Sequence, residues 1–294
     1  VEVTDLLDFY ARDEATAVAL TYLEGLDDGR AFYERVRRVA AEIPVVAVKG
    51  GTTGAGARAA ASHTGSLAAD DAVFSGACRQ AGVTRACTVE EAFEAAATFA
   101  TQPLPCGPNT IVLTTACGWG VVTADAITRD PDIVLMELPS DLQAAIDTKL
   151  PPRWSRNNPV DCAGGEVRDT IPEVMALIAE HPDVDAVIYL GIGIQSNQAR
   201  MMSEGRFYPD HGLERIVAYH ERQDQRFAEA AHELSVANAK PILVATELAV
   251  ADPDNAGPAT VRRLGRLCYP SGGHAVTALG HLIRYAKYRE AHSR

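Results

Sequence analysis

One histidine stands in a run of small residues, Gly50-Gly-Thr-Thr-Gly-Ala-Gly-Ala-Arg-Ala-Ala-Ala-Ser62-His63-Thr64-Gly65-Ser66-Leu67. An apolar stretch, Pro44-Val-Val-Ala-Val-Lys49, leads into it. The pattern reads as a buried parallel strand and a glycine-rich exit loop. Ligand sites of open α/β sheets lie just beyond the carboxyl ends of strands. An imidazole held there between Ser62 and Thr64, with Gly65 behind it, faces a cleft and neighbouring backbone N–H groups. A lone loop histidine is commonly structural. This segment, however, has no large apolar side chain before Leu67 and buries little apolar area. Close backbone approach to a ligand accounts for it better.

Three further segments carry groups suited to chemistry. Tyr22-Leu-Glu24-Gly25 ends the first expected strand, which places Glu24 on the same sheet edge as His63. A carboxylate bonded to one imidazole nitrogen fixes the tautomer and makes the other nitrogen more basic. Glu24 is equally well read as an exposed strand-end acid. Thr114-Thr-Ala-Cys-Gly118-Trp119-Gly120-Val121 is a strand, a tight turn and a helix start. Such a helix N-terminus attracts anions through free N–H groups and its dipole, although an ordinary βα turn has the same pattern. Asn157-Asn-Pro-Val-Asp161, followed by Gly164-Gly165, reads as an ordered loop before a helix that either lines a cleft or simply turns the chain.

Alternating strand-like and helix-like segments position these groups. Strands are expected at 17–23, 44–49 and 84–87, with helices at 30–42, 70–81 and 89–100. Thr88 and Glu91 form a capping box for the last of these helices. Residues 102–109 read as a linker. Beyond it, strands are expected at 110–116, 133–138, 185–191 and 241–247. Helices are expected at 119–129, 140–149, 168–181, 212–237, 257–267 and 274–291. This order predicts parallel sheets with helices on both faces. The expected organisation is a first domain over 1–101 and a second over 110–294. By this reading the first domain has only three strands, which leaves an unpaired edge beside 17–23.

Composition narrows the function. The 294 residues carry a formal net charge of -12, which disfavours nucleic acid and anionic membrane surfaces as partners. No apolar run approaches a membrane span, and no signal-peptide pattern opens the chain. The six cysteines are scattered without a C-x-x-C pair, which fits reduced thiols in the cytoplasm. No P-loop, no G-x-S-x-G elbow and no metal-ligand spacing is present. Gly54-Ala-Gly56-Ala-Arg-Ala59 satisfies G-x-G-x-x-A, but no acid closes a second strand some 20 residues on.

Taken together, these segments resemble the NDP-forming acyl-CoA synthetases, the superfamily that includes succinyl-CoA synthetase. The resemblance rests on Tyr22-Leu-Glu24-Gly25, Lys49, Gly56-Ala-Arg-Ala-Ala-Ala-Ser62-His63-Thr64-Gly65-Ser66-Leu67, Thr88-Val-Glu-Glu-Ala-Phe, Gly118-Trp119-Gly120 and Asn158-Pro159-Val160-Asp161. It implies an α/β fold of two flavodoxin-like domains. It further implies that acyl-CoA and phosphate yield an acyl phosphate, whose phosphoryl group passes to His63 and then to ADP. Glu24 would orient His63. Ser62, Thr64 and Gly65 would line the phosphate site, and Gly118, Trp119 and Gly120 would open a helix facing it. A phosphoryl group brings about two negative charges, and each helix N-terminus offers roughly half a positive one.

The resemblance implies coenzyme A, ATP or ADP and Mg as cofactors, held mainly by other parts of a larger enzyme. The expected partners are an ATP-grasp subunit or domain, an upstream CoA-binding domain, a small carboxylic acid and further copies in an oligomer. No metal site is expected within the chain, which is expected to be inactive alone. The chain is also expected to enter its first domain part-way, without the first phosphate-facing helix. Trp119 departs from the small residue or proline usual in the family. The competing reading is a non-catalytic module that senses acyl-CoA or nucleotide within a fused enzyme. The retained His63 favours the enzyme. A dinucleotide-binding oxidoreductase rests only on the Gly54–Ala59 match.

Overall fold

The computed structural model describes residues 2–64, 70–162 and 169–292, with backbone alone for 60–64. It divides into two compact units, one formed by residues 1–100 and 284–294 and the other by residues 101–283.

The first unit opens with helix α1 (Val3–Tyr10), absent from the sequence expectation. Strands β1 (Ala19–Leu23), β2 (Val45–Lys49) and β3 (Thr84–Ala86) form a parallel sheet in the order β1-β2-β3. Central β2 is buried along its whole length, whereas β1 alternates buried and exposed residues as a one-sided edge does. Among the described residues no strand pairs with the outer side of β1. Helices α2 (Gly29–Glu42) and α4 (Asp71–Ala81) are capped by Asp28 and Asp70, each accepting two backbone N–H bonds. Phe32, Val36 and Val39 of α2 meet Val45, Ala47 and Phe74 in the core. Helix α5 (Val89–Thr101) follows β3, with the Thr88 hydroxyl accepting the Glu91 N–H as the capping pattern predicts.

Two expectations are corrected here. The glycine-rich segment is not a loop to residue 66. Only residues 50–53 connect β2 to helix α3, which spans Gly54–Thr64 and so includes His63. Alanine is the strongest helix former, and its run after Gly54 outweighs the two glycines at 54 and 56. The Thr53 hydroxyl starts the helix by accepting the Gly56 N–H at 3.1 Å.

The second correction concerns residues 284–292, which pack with the first unit. They lie at the end of helix α13 (Gly272–His292). Tyr285 stacks edge-on against Phe99, with ring centres 5.3 Å apart, and donates its hydroxyl to Ala40 O at 3.0 Å. Arg289 donates to Glu42 O. Helical periodicity shows that such a face is buried, not which core receives it.

The second unit holds a six-stranded parallel sheet. Its strands are β4 (Asn109–Thr114), β5 (Val134–Leu135), β6 (Val160–Asp161), β7 (Ala186–Leu190), β8 (Ile242–Ala245) and β9 (Cys268–Tyr269). The path is β5-β4-β7-β8-β9, with β6 also on β4. β5 pairs with the first residues of β4 and β6 with the last. Asn158 fills the gap between them. Its amide accepts the Val112 N–H at 2.9 Å and donates to Thr110 O at 2.8 Å and Met136 O at 3.0 Å. A side chain thus substitutes for backbone in the ladder, and the Asn-Pro-Val-Asp segment is in part a structural splice.

Helices α6 (Cys117–Arg129), α7 (Ser140–Asp147), α8 (Thr170–Glu180), α9 (Ile194–Ser203), α10 (Leu213–Asn238), α11 (Leu248–Ala251) and α12 (Ala256–Arg263) complete the unit with the first part of α13. β4, β7 and β8 are buried nearly throughout and read as apolar runs, as strands covered on both faces do. Gln102, expected in a linker, is buried. Its side chain accepts the Ile242 N–H and donates to Ile242 O, closing the start of β8.

Candidate phosphate site and an adjoining cavity

In the first unit, Glu24 and Lys49 stand at the carboxyl edge of β1 and β2, and His63 lies in the last turn of α3, which begins beyond that edge. Leu23 pairs with Lys49, and the Gly50 N–H donates to Leu23 O at 2.8 Å. Glu24 therefore lies beside the 50–53 connection that leads into α3. Its carboxylate accepts the Tyr22 hydroxyl at 3.1 Å. That hydrogen bond is the main reason the Tyr22 phenol titrates above its ordinary range. Lys49 is buried. It donates to Gly50 O at 3.4 Å and lies 3.9 Å from the Asp71 carboxylate, so it braces the connection from below. The side chains of Ser62, His63 and Thr64, and all of Gly65, lie outside the described residues.

In the second unit, β4 ends at Thr114, whose hydroxyl accepts the Ala116 N–H at 2.9 Å and donates to Ala116 O at 3.0 Å. This holds the turn into α6. The N-cap, Ala116, brings no side-chain acceptor. The Trp119 and Gly120 N–H groups donate to Ala116 O at 3.0 and 3.2 Å. Cys117 and Gly118 occupy the first turn, where backbone N–H groups have no acceptor within the helix. Gly120 serves packing, because a Cβ there would lie 3.0 Å from Thr114 Cγ2 and 3.4 Å from Pro159 Cβ. The N-terminus of α9 differs. Fully buried Asp224 of α10 accepts the Gly193 N–H at 3.0 Å and the Ser196 N–H at 2.6 Å, so that helix end is already filled by a carboxylate. Burial pushes the Asp224 pKa up, and the bonds from Ser196 and Gly193 oppose it.

Two groups beside α6 were not singled out by sequence. Cys117 is exposed, and its thiol is held protonated above its ordinary range by a hydrogen bond to Asp161 at the end of β6. Glu247, just after β8, accepts the Trp119 indole N–H at 2.9 Å. Its place at a strand's carboxyl end, like that of Glu24, is the signal that marks it. Between Trp119 and the exits of β7, β8 and β9 lies a cavity of about 240 Å3. Among the described residues no cluster of three or more His, Cys, Asp or Glu side chains forms a metal site. No helix there is long and apolar enough to cross a membrane.

Two parallel-sheet units, with the N-terminus of α6 at a strand exit, make up an α/β protein. A succinyl-CoA ligase like flavodoxin domain matches residues 1–99, and a Ligase-CoA domain matches residues 110–197. The chain is homologous to ADP-forming acyl-CoA ligases. It is 36% identical over 198 residues to the alpha subunit of ADP-forming acetate–CoA ligase I of Pyrococcus furiosus, a match covering 65% of this chain and 41% of that subunit. It is 32% identical over 186 residues to the ADP-forming 4-hydroxybutyrate–CoA ligase of Nitrosopumilus maritimus, covering 63% of this chain and 26% of the relative. Among solved structures, Ca. Korarchaeum cryptofilum dinucleotide forming acetyl-coenzyme A synthetase 1, in complex with phosphate and ADP, aligns with a TM-score of 0.79 at 30% identity. That alignment covers 99% of this chain and 57% of the other. The matches thus span well under two thirds of the relatives' lengths.

Proposed function

We propose that this chain is the phosphohistidine-bearing part of an NDP-forming acyl-CoA synthetase. The enzyme interconverts acyl-CoA, ADP and phosphate with carboxylic acid, CoA and ATP. The observation that carries the reading is the N-terminus of α6, whose N-cap brings no side-chain acceptor, at the exit of β4 in a chain that keeps the Ser62-His63-Thr64-Gly65 motif.

In the first step a phosphate oxygen attacks the thioester carbonyl, the C–S bond breaks, and CoA leaves as the thiol. The acyl phosphate then gives its phosphoryl group to a His63 ring nitrogen, and the P–O bond to the carboxylate breaks. A β-phosphate oxygen of ADP finally takes the phosphoryl group from His63 to give ATP. Glu24 holds the other ring nitrogen and keeps the attacking one basic. Within the second unit, the Cys117 and Gly118 N–H groups, backed by the α6 dipole, offer a phosphate site without a fixed cation. Such transfer depends mainly on positioning and electrostatics. Ser62, Thr64 and Gly65 flank His63 in sequence and serve its phosphorylated form. CoA, the nucleotide and its Mg are held by an ATP-grasp partner and a CoA-binding domain, and the assembly works in the cytoplasm.

The test uses the complete enzyme with its nucleotide-binding partner. Labelled ATP with Mg should deposit acid-labile, base-stable phosphate on this chain, and His63→Ala should abolish it. Label that persists in His63→Ala overturns the assignment.

A further inference from the structure

The cavity beside α6 is lined mainly by apolar surface from Val122, Leu190, Ala245, Pro270 and the Trp119 ring. At about 240 Å3 it exceeds by far the needs of acetate. An apolar cavity of about 150 Å3 already accepts benzene. Trp119 joins this space to the α6 N-terminus, because it lies one residue beyond Gly118 and forms a cavity wall. Its ring is fixed by the bond to Glu247. The Glu247 carboxylate lines the same cavity, so the cavity interior suits an apolar group and not an anionic one.

We infer that this cavity receives the acyl tail, and that Trp119 is a specificity-determining residue that selects branched or aromatic carboxylic acids over acetate. The inference rests on the phosphate role proposed for α6 and deepens it. An acyl phosphate would lay its phosphate on the helix end and its tail along Trp119 and Val122. Burying one methylene contributes about 0.8 kcal/mol, or roughly fourfold in affinity. Affinity should therefore climb along a series of acids until the space is filled.

The two tryptophans make the test direct. The Trp154 indole is buried and donates to Asp147, so it serves as an internal reference, and Trp119→Phe assigns the other signal. The 15N-labelled chain is titrated with acetate, butyrate, isovalerate and phenylacetate while both indole resonances are followed. The expected result is a shift confined to Trp119, with affinity rising about fourfold per methylene and phenylacetate binding at least tenfold tighter than acetate. Ala245→Leu, which fills the cavity from the end of β8, should erase that dependence. Equal affinity across the series, no Trp119 shift, or a dependence untouched by Ala245→Leu overturns the inference. These readouts need no turnover. Phosphate labelling of His63 without tail dependence overturns the tail assignment alone. Tail dependence without labelling overturns the phosphohistidine reading and leaves the cavity assigned.

Discussion

Gly272 opens α13 directly against α6, and replacing it tests how tightly the cavity walls are fixed. A Cβ at Gly272 would land on the Thr123 hydroxyl and come within 3.0 Å of Thr123 Cβ and 3.1 Å of Cγ2. Thr123 is 2% exposed and branched at Cβ, so it has little freedom to rotate away. Overpacking of this kind costs about 1–3 kcal/mol, and these contacts belong at the upper end. Alanine returns at most about 1 kcal/mol through better helix propensity. Gly272→Ala should therefore lose about 2 kcal/mol, which for a unit of this size lowers Tm by roughly 4–8 °C. Thr123→Ala alone should cost about 1 kcal/mol, because it leaves a small void. In the double variant the clash is relieved. Urea unfolding of all four proteins should show a favourable coupling of about 1–2 kcal/mol, where independent sites add to within about 0.5 kcal/mol. Additive losses would refute the close approach of α13 to α6.

Asp224→Ala should lose about 2–4 kcal/mol, since it strands two buried N–H groups at the start of α9, and urea midpoints measure it. The raised pKa of Asp224 gives the pH sign. Its contribution is fully present below 3.8 and is lost as pH rises through the folded value, so the stability of wild type relative to Asp224→Asn should fall with rising pH in that window. In alkylation time courses at pH 8, exposed Cys87 and Cys106 should react before Cys117, whose thiol Asp161 keeps protonated, and Asp161→Asn should speed Cys117. Cys78 and Cys268, pushed up to about 11 and about 12 by burial, should react only on unfolding.

The sequence by itself determined the α/β class, most strands, and the strand exits that carry Glu24 and Gly118. Those features are local. Apolar runs such as Val45-Val-Ala-Val-Lys49 and Ile111-Val-Leu113 mark strands buried on both faces wherever they pair. The glycines around His63 hid a helix, because glycine signals a turn locally while the alanine run decides the outcome over three turns. Only the tertiary structure decided the rest. β6 and β9 are two residues long and exist because a neighbouring strand was there to pair with them. Asn158 became a rung of the sheet because three backbone groups from β4 and Met136 converge on its amide. The last turns of α13 joined the first unit through Tyr285, Phe99 and Ala40, contacts separated by up to 245 positions in the chain. Trp119 and Glu247, 128 positions apart, became one wall only when β4 and β8 were laid on either side of β7. Periodicity records which residues leave water. Which of them meet is settled by packing, where shape and the pairing of buried polar groups act over distances that no local pattern encodes.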